Sequence, residues 1–280
     1  MNGISVEIPR WSSAPERLLL ETNEVHVWSG SLVAAPSTVE RLSHTLTPDE
    51  TTRADRFHFR KDRDHFIVAR GILRLILSRY LEMEPGHLRF CYGAHGKPAL
   101  DACPRDEMLR FNLSHSNGLA IYSITRGRDI GVDVEYMRES FPGFEIAEQF
   151  FAAREVAILR TVPADRRQEA FFLLWTVKEA YVKARGQGLG LALDQLDMSI
   201  CLEGPAPSPR TNNDPPAISG WSLQPFAPTP GYIGALAVEG EVCQVKWWHW
   251  LESTAGRWSL SSNATSNRIG NTKSVAQTKR

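Results

Sequence analysis

The 280-residue sequence predicts an α+β protein made of two halves that meet near residue 130. Three observations carry this reading. A long apolar-periodic helix dominates the first half, and short alternating strands follow it. Helical patterns resume near residue 144, and strand-like runs return after residue 218. At 42% hydrophobic and 23% charged residues the composition is that of an ordinary globular protein, long enough for one large core or two medium ones. No sequence repeat links the halves.

Residues 1–23 read as a loose lead-in. Glu24-Val25-His26-Val27-Trp28 alternates as a strand should. Thr47 caps a helix that opens on Pro48, Asp49 and Glu50 and is expected to run to about Leu81. Phe66, Val68, Ala69, Ile72, Leu73, Leu75, Ile76, Leu77 and Tyr80 make that helix a buried one. Strands are expected at 88–91 and 110–113, with a turn cluster over 93–98. Residues 119–124 and 130–135 are expected to form a hairpin around Arg126-Gly127-Arg128.

Helices follow at 144–150, 153–160 and 165–184. Eight of the 17 prolines lie within 205–230, which marks a long loop at about 203–230. Strand-like runs cover 218–223, 231–238 and 242–251. Residues 252–280, rich in Ser, Thr and Asn, are expected to be a disordered tail. The expected division is a first lobe at 1–129, a second at 130–251, and the tail.

Lysine plus arginine balances aspartate plus glutamate at 32 each, which excludes a global attraction to nucleic acid or membrane. Cys91, Cys103, Cys201 and Cys243 are far apart and form no CxxC pair, so neither a zinc site nor a disulfide framework is expected. A reducing compartment fits. The start lacks a basic-then-apolar signal, and no apolar stretch is long enough to span a bilayer, so the expected location is the cytoplasm.

Gly131-Val132-Asp133-Val134-Glu135 is the most informative short run. On a strand, Asp133 and Glu135 share one side. Two such carboxylates repel unless a cation sits between them, and oxygen-only donors suit Mg²⁺ or Mn²⁺. A solvated strand face is the plain alternative. On the following helix Trp175, Glu179 and Lys183 fall at i, i+4 and i+8 and share a face, with Lys178 beside it. Glu179 is placed to add a third carboxylate and Lys183 to balance a phosphate oxygen; a surface Glu–Lys pair is the alternative.

Phe111-Asn112-Leu113-Ser114-His115-Ser116 ends a strand with hydroxyls, an amide and an imidazole. No G-x-S-x-G elbow accompanies it, so a serine hydrolase is disfavoured. Residues 53–79 carry eight basic side chains against three acids, and arginine forks among them match phosphate oxygens.

These motifs together resemble the Sfp-like class of 4′-phosphopantetheinyl transferases. The matching pieces are Gly96-Lys97-Pro98, the segment from Phe111 to Ser116, and Gly131-Val132-Asp133-Val134-Glu135. Phe150-Phe151 with Glu155 follows, then Trp175, Lys178-Glu179-Ala180, Lys183, Gly186 and Gly188-Leu189. They span about residues 48–200.

The resemblance implies two similar α+β lobes in one monomeric chain, with coenzyme A in the cleft between them and Mg²⁺ on its pyrophosphate. By motif position Asp133, Glu135 and Glu179 are the metal carboxylates. Lys183 meets the pyrophosphate and Lys178 lies near it. Lys97, Ser114 and His115 hold the nucleotide end, with His115 at its 3′-phosphate. Arg53 is a looser phosphate contact, and Glu155 lies near the site in the second lobe.

The implied reaction moves the 4′-phosphopantetheine arm onto a serine of an apo acyl or peptidyl carrier protein and releases 3′,5′-ADP. Glu179 takes the serine proton, directly or through a metal-bound water, and Lys183 stabilises the leaving phosphate. The carrier is expected to be an acidic helical domain. The phenylalanines of 141–151 either dock it or pack the core. The rivals are a Mg²⁺ phosphodiesterase and an inactive coenzyme A- or carrier-binding module.

Overall fold

The computed structural model describes residues 6–101, 109–138, 141–186, 188, 192–199, 201, 220–242 and 244–251. The expected tail, most of the proline-rich loop, Cys103, Cys243 and Leu189 lie outside the described residues. The architecture is α+β. Strands β1 (Ser12–Ser13), β2 (Glu24–Ser31), β5 (Leu109–Ser116), β6 (Leu119–Arg126) and β10 (Gln244–His249) form one sheet, ordered β1-β10-β2-β6-β5. Strands β7 (Ile130–Tyr136), β8 (Trp221–Phe226) and β9 (Tyr232–Glu239) form a second, ordered β7-β9-β8. Strands β3 (Phe90–Tyr92) and β4 (Pro98–Leu100) make a small hairpin.

Strand alternation explains how the sheets stack. Val25, Val27 and Ile121 from the first sheet meet Ile130, Val132, Val134, Leu236 and Val238 from the second in one buried cluster. The opposite face of the first sheet carries Trp28, Tyr122 and Ile124 and is covered by α3 (Arg60–Leu81). The opposite face of the second sheet is covered by α6 (Arg167–Arg185), with α4 (Gly143–Phe150) and α5 (Ala153–Thr161) packed on it. Each lobe is thus a sheet with a long helix on its outer face. Helix α1 (Pro36–Ser43), not anticipated from sequence, lies against α3.

Three expectations are corrected. The continuous helix over 48–81 is instead α2 (Pro48–Ala54), a turn, and α3. Glu50 on α2 accepts a 2.7 Å hydrogen bond from Arg74 Nε in the core. In one straight helix those residues would stand about 36 Å apart, so the chain folds back. The expected hairpin of 119–124 with 130–135 does not form. Both edges of β6 are taken, by β2 and β5, and β7 pairs with β9 instead. The last strand also departs from the expected division: β10 pairs in parallel with β2, so residues 244–249 extend the first lobe's sheet.

One close approach sets the position of α6. A Cβ at Gly131 would sit 1.9 Å from the Ala180 carbonyl oxygen and 2.5 Å from the Ala184 nitrogen. Both are backbone atoms of a helix and cannot swing aside. Gly131→Ala is therefore expected to destabilise the fold by about 3 kcal/mol, the upper end for overpacking, because α6 must lift from β7. Urea unfolding reads this, and a midpoint equal to that of the parent protein would refute it.

Candidate active site

Gly131, Asp133 and Glu135 share the face of β7 that α6 approaches, while Val132 and Val134 fill the core between the sheets. On α6 the stripe Trp175, Glu179 and Lys183 is half-buried, while the other residues from Ala170 to Ala184 are buried. The strand and helix therefore bring the two sequence motifs together.

Asp133 is only 3% exposed. Its Oδ1 accepts from Lys183 Nζ at 2.6 Å and from Ser114 Oγ at 2.8 Å. Lys183 Nζ also donates to Ser114 Oγ at 3.0 Å. Asp133 Oδ2 is buried with no hydrogen-bond partner. Glu135 Oε2 accepts from Ser116 Oγ at 2.8 Å.

Burial raises the pKa of Glu135, and the Asp133 charge raises it further. Burial likewise raises that of Glu179, with Asp133 and then Glu135 adding to it and Lys183 opposing. Among the described residues these three carboxylates share the Lys183 ammonium, and Arg138 also acts on Glu135. Among the described residues no three His, Cys, Asp or Glu side chains stand close enough together to hold a metal ion as they are placed. The donor set nonetheless fits a hard cation that takes part of its ligand shell from water and phosphate. The donors are all oxygen, one buried oxygen lacks a partner, and the carboxylates repel each other.

Ser114 belongs to this cluster. His115, the next residue, points to the opposite face of β5 and is exposed. Its pKa is lowered first by burial of part of the ring, then by the charges of Lys183 and of His65 on α3. Arg53 is exposed, with its guanidinium 5.4 Å from the centre of the Phe66 ring. It lines an open depression of about 630 Å³ with Asp49, Glu50, Thr52, Arg56 and Tyr92. Lys97 Nζ donates to the carbonyls of Ile130 and Ala184, both at 2.9 Å, and so ties β7 to the end of α6. Burial pulls its pKa down to about 8.

Lys178 and Glu155 are not at this site. Lys178 is fully buried, 2.8 Å from Glu155 Oε2, and donates to the carbonyls of Leu193 and Leu196. Glu155 also accepts the Ala152 and Met198 N–H groups at 2.8 and 2.9 Å. Lys178 precedes Glu179 by one residue, about 100° of helix turn, which aims it into the second-lobe core and away from the pyrophosphate position expected for it. Phe151 is likewise buried, stacked on Phe171, and Phe141 and Phe144 pack on the same core. Phe150 is exposed.

Asn112 and Ser116 have no role predicted by the sequence motif that contains them. Their signal was the i, i+2, i+4 run of polar residues Asn112, Ser114 and Ser116 on one face of a strand. Asn112 Oδ1 accepts the Val132 N–H at 2.9 Å, across the lobe junction.

Residues 129–237 match the 4′-phosphopantetheinyl transferase superfamily, and residues 33–124 match the family described as 4′-phosphopantetheinyl transferase, N-terminal. The chain is 39% identical over 240 residues to 4′-phosphopantetheinyl transferase HetI of Nostoc sp., covering 86% of this chain and 98% of that protein. It is 28% identical over 165 residues to 4′-phosphopantetheinyl transferase Sfp of Bacillus subtilis, covering 59% and 71%. It is 29% identical over 177 residues to the L-aminoadipate-semialdehyde dehydrogenase-phosphopantetheinyl transferase of Homo sapiens, covering 59% and 57%.

Proposed function

We propose that in this chain, which belongs to the 4′-phosphopantetheinyl transferase superfamily, the cleft between the lobes is where the arm of coenzyme A passes to a carrier-protein serine. The observation that carries the assignment of the site is the meeting of Asp133, Glu135 and Glu179 around the ammonium of Lys183.

In this reading the serine oxygen forms a bond to the β-phosphorus of coenzyme A, the bond to the nucleotide phosphate breaks, and 3′,5′-ADP leaves. Glu179 accepts the serine proton, directly or through a water held beside it. Lys183 offsets the negative charge that grows on the departing phosphate. It is already oriented by Asp133 and Ser114, so little reorganisation is needed. Asp133, Glu135 and Glu179 are the proposed Mg²⁺ ligands, with Mn²⁺ a suitable substitute. When bound, the cation neutralises pyrophosphate charge.

His115 and Arg53 are the proposed contacts for the nucleotide's phosphate. Both sides of the cleft come from one chain, which supports a monomer as the working unit. No helix among the described residues is long and apolar enough to cross a membrane. The free thiols of Cys91 and Cys201 suit the reducing compartment of a cytoplasmic enzyme.

Release of 3′,5′-ADP, followed by chromatography, tests the reaction class. It should require an apo carrier and stop with EDTA. Release without any carrier would indicate a phosphodiesterase.

The carboxylates also predict a pH effect. In the metal-free protein Glu135 and Glu179 bind protons more readily folded than unfolded, so stability falls as pH rises through their folded pKa. Mg²⁺ relieves the ionised cluster and competes with those protons. It is expected to raise Tm by about 3 °C or more near pH 8 and by less near pH 6. A Tm that ignores Mg²⁺ at both values would count against the metal ligands named here.

A further inference from the structure

Strands β5 and β7 are the edge strands of different sheets, and no backbone ladder joins them. They lie side by side nonetheless. Side chains of β5 make the join. Asn112 Oδ1 accepts the Val132 N–H at 2.9 Å. Ser114 Oγ donates to Asp133 Oδ1 at 2.8 Å. Ser116 Oγ donates to Glu135 Oε2 at 2.8 Å and accepts the Tyr136 N–H at 3.2 Å. The partner numbers climb together, so the strands run parallel, and the three rungs come from alternate residues of one strand face.

We propose that Asn112 and Ser116 are positioning residues: with Ser114 they form a side-chain ladder that sets the register between the lobes and aims Glu135 at the acidic cluster. This rests on the reading of that cluster as a divalent-cation site. The chemistry of each rung supports it. An edge strand has backbone N–H groups that need acceptors, and Val132 and Tyr136 find theirs in an amide oxygen and a hydroxyl. The Ser116 hydroxyl is used twice, accepting from one residue's amide while donating to the preceding residue's carboxylate. That donation holds Glu135 in one rotamer beside Asp133, which like-charge repulsion would otherwise disfavour. A partner that orients a ligating carboxylate is worth about 10- to 100-fold in metal affinity. Lobe register and cation affinity are therefore set by the same three side chains.

The test compares Ser116→Ala, Ser116→Thr and Asn112→Ala in the full chain. Binding of Mn²⁺ is read by electron paramagnetic resonance, which needs no turnover, and amide hydrogen exchange is read at Val132 and Tyr136. Ser116→Ala is expected to weaken Mn²⁺ binding about 10-fold and to speed exchange at Tyr136. Ser116→Thr keeps the hydroxyl and should restore both. Asn112→Ala should speed exchange at Val132.

Parent-like Mn²⁺ affinity in Ser116→Ala would overturn the positioning role, and unchanged exchange at both amides would overturn the ladder. A parent protein that binds no Mn²⁺ would remove the metal reading and the positioning role with it. The exchange pattern would then still decide the ladder.

Discussion

Asp133→Ala is expected to lower kcat/KM for arm transfer by about 10³-fold while leaving the fold intact. The activity loss follows from the position of this side chain. Asp133 is the buried member of the acidic cluster, its Oδ2 has no partner within the protein, and its Oδ1 holds both Lys183 and Ser114. Removing it takes away a cation ligand and releases the ammonium that meets the leaving phosphate. The stability expectation runs the other way. Asp133 raises the pKa of both Glu135 and Glu179, so its loss relieves repulsion in the metal-free protein. Lys183 is partly exposed and regains water. Initial rates at saturating Mg²⁺ and Tm, measured together, separate the two effects. A variant with rates within tenfold of the parent would remove Asp133 from the mechanism.

The second large effect is structural. Lys178→Met is expected to destabilise the protein by about 3–5 kcal/mol, and Glu155→Leu by a similar amount, because each leaves the other charge buried and unpaired. Neither side chain has any exposure. Burial lowers the Lys178 pKa and raises that of Glu155, and their mutual attraction opposes both shifts. Lys178 also satisfies the Leu193 and Leu196 carbonyls, and Glu155 the Ala152 and Met198 amides. The double variant removes both charges but orphans those backbone groups, so it should recover only part of the loss. Urea unfolding of the three variants measures the coupling. If either single variant unfolded at the parent's midpoint, the pair would have no structural role.

The contrast between Glu179 and Lys178 shows where sequence reasoning stops. The stripe of Trp175, Glu179 and Lys183 was legible because positions four apart share a helix face. The acid pair on β7 was legible because strand side chains alternate. Helix α6, however, is buried nearly all round, so hydrophobic periodicity does not say which polar residue faces the cleft and which the core. Only the tertiary position of Glu155 decides that for Lys178.

Topology was partly hidden for a related reason. The apolar runs of β6 and β7 look like the two arms of a hairpin, and nothing local records that β2 and β5 already occupy both edges of β6. The return of β10 to β2 spans most of the chain and leaves no local trace. Gly131 was visible as a residue of the acidic motif, but its reason, the backbone of α6 pressed against it, was not. The helices α4 to α6 and the strand at 24–28 were legible because each has a clean period and clear breakers.

The central claim is that the cleft carboxylates and Lys183 move one phosphopantetheine arm onto a carrier serine. Intact-mass spectrometry of an apo carrier protein, incubated with this protein, coenzyme A and Mg²⁺, tests it most directly. The expected result is a mass gain of one arm per carrier serine, absent with EDTA and with Asp133→Ala. Several apo carriers left at their starting mass, while coenzyme A still binds, would contradict the account and point to a binding module.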